Sequence, residues 1–435
     1  MMLKRKIMEQ LTSWAETKSQ KCLLVHGPGQ TGKTYVIQQF GKAQYEEVLE
    51  VNFKQMPSVK EVFSGNRTVE EMVMGLRFRY PEKKILPGKT LVFLDEIQEC
   101  EDAISSLKQW AIEDRYDVIA AGSLIGTDDT KVSCPALYVD ERRVYGLDFE
   151  EFLWALGVSA DLTASLPSYL MSRREIPAIL HSKLMEYFRM YLAIGGMPEA
   201  VARFVETRDY REVDRVQRGI LQRYQYNMAH YAKAEEKVKT EKCFLTLSRQ
   251  LLDKPNHKFQ YKEIEHGARA QKYFSSIEWL LHADMIHLCK LVTEVSFDLE
   301  EHARSDFFRA YPADLSLLIA MKDFVLKQYI VENTLEGSTR GGLYACAIAD
   351  ALHKKGYPLY FYKNKTQKVE LDFILPVDGQ PIPMEIKSGK SKARPLSTLL
   401  KKREDLPFGY KFVEGNIGVR EDRILTLPLY MATFI

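Results

Sequence analysis

The chain has 435 residues, 46 % hydrophobic and 28 % charged, with a formal net charge of +2. That length allows two to four domains, each with its own core, in a chain of ordinary soluble globular composition. Charge this close to zero gives no general attraction for polyanions, so any nucleic-acid surface has to be local.

The opening residues carry charge at helical spacing and no long apolar core, which excludes a signal peptide or a membrane span and leads us to expect a cytoplasmic protein. Leu3 to Trp14 reads as an amphipathic helix. Six cysteines, at positions 22, 100, 134, 243, 289 and 346, are scattered without C-x-x-C spacing. They point to a reducing compartment and to small core residues rather than a structural zinc.

Cys22 to Val25 reads as a buried parallel strand, and from Thr34 onward Val36, Ile37 and Phe40 recur at helical spacing. Between them Gly27-Pro-Gly-Gln-Thr-Gly32-Lys33-Thr34 fits G-x-x-x-x-G-K-[ST], the P-loop. A polyphosphate needs many donors and little bulk, so Gly27, Gly29 and Gly32, with Gln30 and Thr31 between them, let backbone N–H groups wrap around it at a helix N-terminus. Lys33 reaches the β- and γ-phosphates in this reading, and the Thr34 hydroxyl holds Mg²⁺. The implied ligands are therefore ATP and Mg²⁺.

Val48 to Phe53 is a second strand, and Val59 to Leu76 is helical apart from Gly65 and Asn66. Thr90 to Gln98 then gives a buried strand ending in Asp95 and Glu96, at the strand end where α/β proteins place their ligands. Asp95 is expected to orient Mg²⁺ through its waters and Glu96 to polarise the attacking water. After a helix from Glu101 to about Tyr116, Asp117 to Gly122 supplies another strand, followed by Ser123 as a sensor of the γ-phosphate or a simple helix cap. Arg142 and Arg143 precede Val144 to Leu147, read as the fifth strand. Either arginine is a candidate arginine finger, and a solvated basic pair is the alternative.

GPGQTGKT, LVFLDEIQ, VIAAGSL, the RRVYGLDFEEFL run and YLAIGGMPEAV (Tyr191 to Val201) together resemble the prokaryotic AAA-type ATPases of the archaeal-ATPase and signal-transduction-ATPase neighbourhood. Those proteins carry a C-terminal domain related to the PD-(D/E)xK nuclease fold. The resemblance implies strand order 5-1-4-3-2 and a lid segment at Gly195 to Pro198 next to the nucleotide. Gly29 stands where such loops often have an arginine.

Leu184 to Ile194, Glu199 to Glu206 and Tyr210 to about Lys237 are helical by periodicity. Beyond Glu241, three helices (Cys243 to Leu252, Tyr261 to His266, Lys272 to Ala283) lead into the alternating run Met285 to Val292, the order of a winged helix-turn-helix. Lys258, Lys262, Arg269, Lys272 and Tyr273 would be its reading face, for DNA or for a protein. His282 and His287 read as packing or surface residues, because no third metal ligand stands near.

Late in the chain, Glu332 lies in a helix, Asp372 in the run Val369 to Leu375, and Glu385 and Lys387 in Ile382 to Lys387. The turn Pro376 to Gly379 makes the last two an antiparallel hairpin. Strand alternation puts Glu385 and Lys387 on one face. This D-(x)₁₂-E-x-K spacing is the nuclease signature, in which Glu332, Asp372 and Glu385 bind a second Mg²⁺ or Mn²⁺ and Lys387 positions the attacking water. Lys390, Lys392, Arg394, Lys401, Lys402 and Arg403 follow, suited to a phosphate backbone or to solvent.

The expected architecture is α/β. It comprises a P-loop AAA-type core over 1–157, a helical lid over 158–240, a winged helix-turn-helix over 241–298 and a restriction-endonuclease-like domain over 299–435. The expected partners are ATP and either DNA or a protein, with self-association left open. The alternative function is a nucleotide-dependent switch or scaffold that binds a protein and cuts nothing.

Overall fold

A computed structural model describes residues 3–17, 20–123, 135–254, 257–364, 369–389, 393–419 and 423–435. Cys134, Lys390 and Lys392 lie outside the described residues. The chain divides into two compact units.

The smaller unit comprises Lys4–Gly146 with His282–Met285. Its five strands, β1 (Cys22–His26), β2 (Glu47–Asn52), β3 (Thr90–Asp95), β4 (Asp117–Gly122) and β5 (Val139–Arg143), form one sheet in the order β2-β3-β4-β1-β5. Every pairing is parallel, and the order is the expected 5-1-4-3-2. A parallel sheet is covered on both faces, so its central strands are apolar at nearly every position. Alternation then divides them. Leu23, Val25, Leu91, Phe93, Ile119 and Ala121 meet Leu11 and Trp14 from helix Ile7–Thr17 and Val36, Ile37 and Phe40 from helix Lys33–Gln44. Leu24, Val92, Leu94, Val118 and Ala120 meet helices Val69–Arg79 and Glu101–Glu113 on the other face.

The fifth strand differs from the expectation. It is Val139–Arg143 rather than Val144 to Leu147, and it contains both Arg142 and Arg143. As an edge strand paired only with β1, it needs little apolar content. The apolar run that suggested a strand instead supplies Val144, which is 2 % exposed and belongs to the core around the Lys33–Gln44 helix.

The larger unit comprises Leu147–Leu281 and Ile286–Ile435. Helices Ala178–Ile194, Pro198–Thr207 and Tyr210–Tyr231 overlap the three periodic runs, the first beginning before Leu184 and the third ending at Tyr231, short of Lys237. The Gly195-Gly196 pair between the first two has a local reason. A Cβ on Gly195 would lie 2.4 Å from the Ser316 nitrogen, and one on Gly196 would lie 2.1 Å from the Leu147 carbonyl oxygen. Asp314 Oδ1 accepts from the Gly196 N–H, and the Lys354 ammonium bridges Asp314, Asp350, the Tyr191 hydroxyl and the Leu147 carbonyl in full burial. This network ties the helices after Leu147 to the C-terminal segment.

Eight strands, β6 (Ile286–Val292), β7 (Ala303–Pro312), β8 (Leu359–Asn364), β9 (Val369–Val377), β10 (Gln380–Ile386), β11 (Gly409–Val413), β12 (Gly418–Val419) and β13 (Ile424–Pro428), make the second sheet. Their order is β12-β13-β11-β10-β9-β8-β6-β7. β9 and β10 form the expected antiparallel hairpin. The expected boundary at 298/299 is not a boundary in this sheet, because β6 pairs antiparallel with β7 and parallel with β8. The hairpin assigned to a separate winged helix is thus one edge of the C-terminal sheet. Of the three expected helices before it, Tyr261–Glu263 is only a 3₁₀ turn.

Candidate nucleotide site and a second carboxylate pair

The sheet of the smaller unit aligns the ends of its strands. Register pairs Asn52 with Asp95, Asp95 with Ala121, and His26 with both Gly122 and Arg143. Gly27 to Gly32 turn the chain from β1 into the Lys33–Gln44 helix. Gly27 (φ 135°) is required because a Cβ there would sit 2.3 Å from the Val144 carbonyl oxygen, and Gly32 (φ 83°) because it caps the helix from the left-handed region. Among the described residues no side-chain cap hydrogen bond is made at Gly32, and the helix N-terminus is of the kind that binds anions.

The Lys33 ammonium folds back on the loop, 2.9 Å from the Gly27 oxygen and 2.8 Å from the Pro28 oxygen. Burial pushes it down to about 8, against the opposing influence of Glu96 and Asp95. The Thr34 hydroxyl donates to the Asp95 carboxylate at 3.1 Å. Burial, and after it the charge of Glu96, pushes Asp95 up to about 6. A hydroxyl beside a buried carboxylate that lacks a full counter-charge is a hard-oxygen donor set that fits Mg²⁺. Ser123 follows the end of β4.

Glu96 sits in the left-handed region (φ 53°), a strained conformation for a residue with a Cβ. Its Oε2 accepts from the Gln98 side-chain amide at 2.6 Å, and Gln98 Oε1 is buried without a hydrogen-bond partner among the described residues. Arg143 pairs with Asp284 and lies over the Tyr145 ring at 5.4 Å, whereas Arg142 donates to the Glu141 carbonyl oxygen.

Three contacts were not read from the sequence. Arg5, 6 % exposed, donates to the Thr31 carbonyl at 3.1 Å and the Tyr145 carbonyl at 2.6 Å, clamping the P-loop from before the first helix. The Asn52 amide donates to Asp95 at 2.9 Å. Its position at the end of the strand beside β3 is a signal that could have found it. Gln98 stands in the LVFLDEIQ run, where no motif marks its contact with Glu96.

In the larger unit the expected three-carboxylate site does not assemble. Among the described residues no three His, Cys, Asp or Glu side chains converge as a metal-holding group. Glu332 is exposed, because its helix ends at Val331, and it lines a cleft with Arg208, Asp209, Tyr210 and Lys327. Asp372 and Glu385 do lie near each other on the β9–β10 hairpin. Asp372 Oδ2 accepts from the Ile386 N–H at 2.8 Å, and Glu385 Oε2 from the Leu396 N–H at 3.0 Å. Lys387 Nζ stands 2.6 Å from Glu385 Oε1 as an ion pair without hydrogen-bond alignment. Burial raises the Glu385 carboxyl and Lys387 opposes it.

The expected reading face is also partly occupied. Tyr273 is 1 % exposed, Lys272 pairs with Glu265, and Lys258 lies over the Phe307 ring at 3.5 Å. His287 is buried. The five described cysteines are buried and none is in a disulfide. No helix among the described residues is long and apolar enough to cross a membrane.

Comparison with known proteins adds family matches. Residues 19–153 match an AAA domain family, 185–328 a domain of unknown function (DUF8612) and 340–430 another (DUF4143). No curated protein matches the chain. Among solved structures, a Walker-type ATPase of Pyrococcus abyssi is similar at 12 % identity and TM-score 0.45, over 74 % of this chain and 96 % of that one. A signal-transduction ATPase with a tetratricopeptide repeat sensor from Pyrococcus horikoshii is similar at 12 % identity and TM-score 0.28, over 82 % and 46 %. The RuvB Holliday junction branch migration motor of Thermotoga maritima gives 12 % and 0.29, over 65 % and 89 %. The P-loop, the Asp95-Glu96 strand and the match to the AAA domain family fall in one segment, residues 19–153, and together support an AAA-type ATPase there.

Proposed function

We propose that the chain binds ATP and hydrolyses it through the residues at the strand ends of the smaller unit. The observation that carries this is the convergence of Lys33, Thr34, Asn52, Asp95 and Glu96. The P-loop from Gly27 to Thr34, with Gly29, Gln30 and Thr31, holds the polyphosphate; Thr34 and Asp95 hold Mg²⁺. Bound there, Mg²⁺ supplies charge neutralisation for the phosphates. Glu96 takes the proton of the attacking water, oriented by Gln98, and Ser123 contacts the γ-phosphate. Residues 158–240 serve as a lid, and the chain acts in the cytoplasm. Lys33→Ala should abolish or severely weaken nucleotide binding, and Glu96→Gln should keep ATP bound while slowing turnover. Wild-type affinity in the first variant would overturn the assignment.

For the rest of the chain, the spacing of Asp372, Glu385 and Lys387 supports a nuclease-like domain acting on DNA, with segment 241–298 as a DNA-contacting element. A second reading, a nucleotide-dependent switch that binds a protein and cuts nothing, is favoured by acids among the basic residues. Glu263 pairs with Arg249 and Lys254, and Glu265 with Lys242 and Lys272. Salt dependence separates the two. Loss of DNA affinity with rising salt, reduced by Lys262→Ala and Arg269→Ala, supports the first; no DNA binding at low salt supports the second.

A further inference from the structure

The carboxylate pair Asp372 and Glu385 has its charge balanced by the protein itself. Arg309, on β7, is 2 % exposed and reaches this hairpin from 63 residues earlier in the chain. Its Nη2 donates to Glu370 Oε1 at 3.1 Å and its Nη1 to the Asp372 carbonyl oxygen at 3.2 Å. Nη1 also stands 3.8 Å from Asp372 Oδ1, and the guanidinium lies over the Phe361 ring at 4.4 Å. We infer that Arg309 at Asp372 and Lys387 at Glu385 are the resident counter-cations of this pair, and that the C-terminal domain takes no catalytic divalent ion between Asp372 and Glu385.

Three observations carry the inference. First, each of the four carboxylate oxygens faces a donor or cation of the same chain. Asp372 Oδ2 has the Ile386 N–H and Oδ1 has Arg309, while Glu385 Oε2 has the Leu396 N–H and Oε1 has Lys387. A dication bridging the two carboxylates would have to compete with Arg309 and Lys387 for an oxygen of each.

Second, the charges close without a metal. Arg309, Lys387 and Lys363 together match the charges of Asp372, Glu385 and Glu370. Arg309 cannot deprotonate to make room, and its packing over Phe361 beneath the sheet keeps it from swinging away. A dication placed between the carboxylates would stand close to the buried Arg309 and to Lys387.

Third, among the described residues no third acid joins the pair in a metal-holding group. Helix Gly337–Lys354, which packs on this sheet, contains Asp350 as its one acid, and Asp350 is held by Lys354 and Tyr191. Glu332 lies in another cleft. The inference deepens the second reading under Proposed function and rests on it only for its biological meaning. The cation measurement stands independently of any partner.

The test uses the full chain, nucleotide-free and carrying Thr34→Ala so that the P-loop contributes no cation. Mn²⁺ is titrated into it and the free ion read by electron paramagnetic resonance, beside thermal melts. The expected result is no saturable Mn²⁺ uptake through the millimolar range, and the same null in chains that also carry Asp372→Asn or Glu385→Gln. One bound Mn²⁺ per chain that either substitution removes would overturn the inference. So would DNA cleavage with Mg²⁺ or Mn²⁺ that Lys387→Ala abolishes. A second arm compares Arg309→Met, Asp372→Asn and the double variant. Asp372→Asn should restore part of the melting temperature that Arg309→Met loses, whereas additive losses would deny the pairing. Should Arg309→Met not fold, the Mn²⁺ titration of the chain with Arg309 intact decides alone.

Discussion

Lys33 makes nucleotide affinity depend on pH in a direction that follows from its burial. In the free chain the ammonium is 7 % exposed, has two loop carbonyls as acceptors, and titrates at about 8 instead of 10.5. A difference of that size corresponds to roughly 3 kcal/mol against the charged form. A polyphosphate in the loop adds negative charge against the ammonium and raises its pKa, so above pH 8 binding has to take up a proton. Affinity should therefore be level below about pH 7 and fall toward tenfold per unit above pH 8. If the bound value rises well above 10, the loss between pH 8 and 10 is about fiftyfold, or about 2 kcal/mol. Stability of the free chain has the opposite sign. The unfolded state binds more protons than the folded one between these two pKa values, so the Lys33 contribution to stability rises with pH across that window. Isothermal titration with ATP in two buffers of different ionisation heat would read both affinity and proton uptake. Lys33→Arg serves as a control that cannot titrate. An affinity unchanged from pH 8 to 10, or the same slope in Lys33→Arg, would refute the argument.

Gln98→Ala should leave ATP affinity intact and lower kcat about 10- to 100-fold by releasing Glu96, and the loss should vanish in a Glu96→Gln background because both act through one carboxylate; additive losses would assign Gln98 a separate role. Arg5→Met removes two charge-assisted bonds to carbonyls of the P-loop region, so denaturant melts of the smaller unit should show a loss of about 3 kcal/mol together with weaker nucleotide binding; affinity unchanged in a folded variant would deny the clamp. Lys354→Met strands Asp314 and Asp350 in the interior and should cost about 3–5 kcal/mol, with part recovered by Asp314→Asn in the same chain; a loss below 1 kcal/mol on the same scale would mean that the network is dispensable.

Sequence legibility followed chemical locality. Gly27 to Thr34, with Asp95 and Glu96, could be read directly because a phosphate cradle is built from consecutive backbone groups and a strand end is announced by the apolar run before it. The strand order came from the family resemblance, and the burial of β1, β3 and β4 agrees with it because a doubly covered sheet leaves their positions little choice of residue. What the sequence could not disclose is long-range. β5 is polar because it lies at an edge, and hydropathy does not register an edge. Arg5 meets Thr31 and Tyr145, and Asn52 meets Asp95, only after the strands align. The same holds at the second site. The spacing of Asp372, Glu385 and Lys387 is local to one hairpin and legible, but Glu332 was assigned to it by pattern and lies elsewhere. Arg309, which no pattern flagged, arrives from the far edge of the same sheet. A motif records which groups one strand pair can present. Whether a metal or a guanidinium answers their charge depends on which other strands the sheet brings alongside, and that is decided by packing over the whole unit.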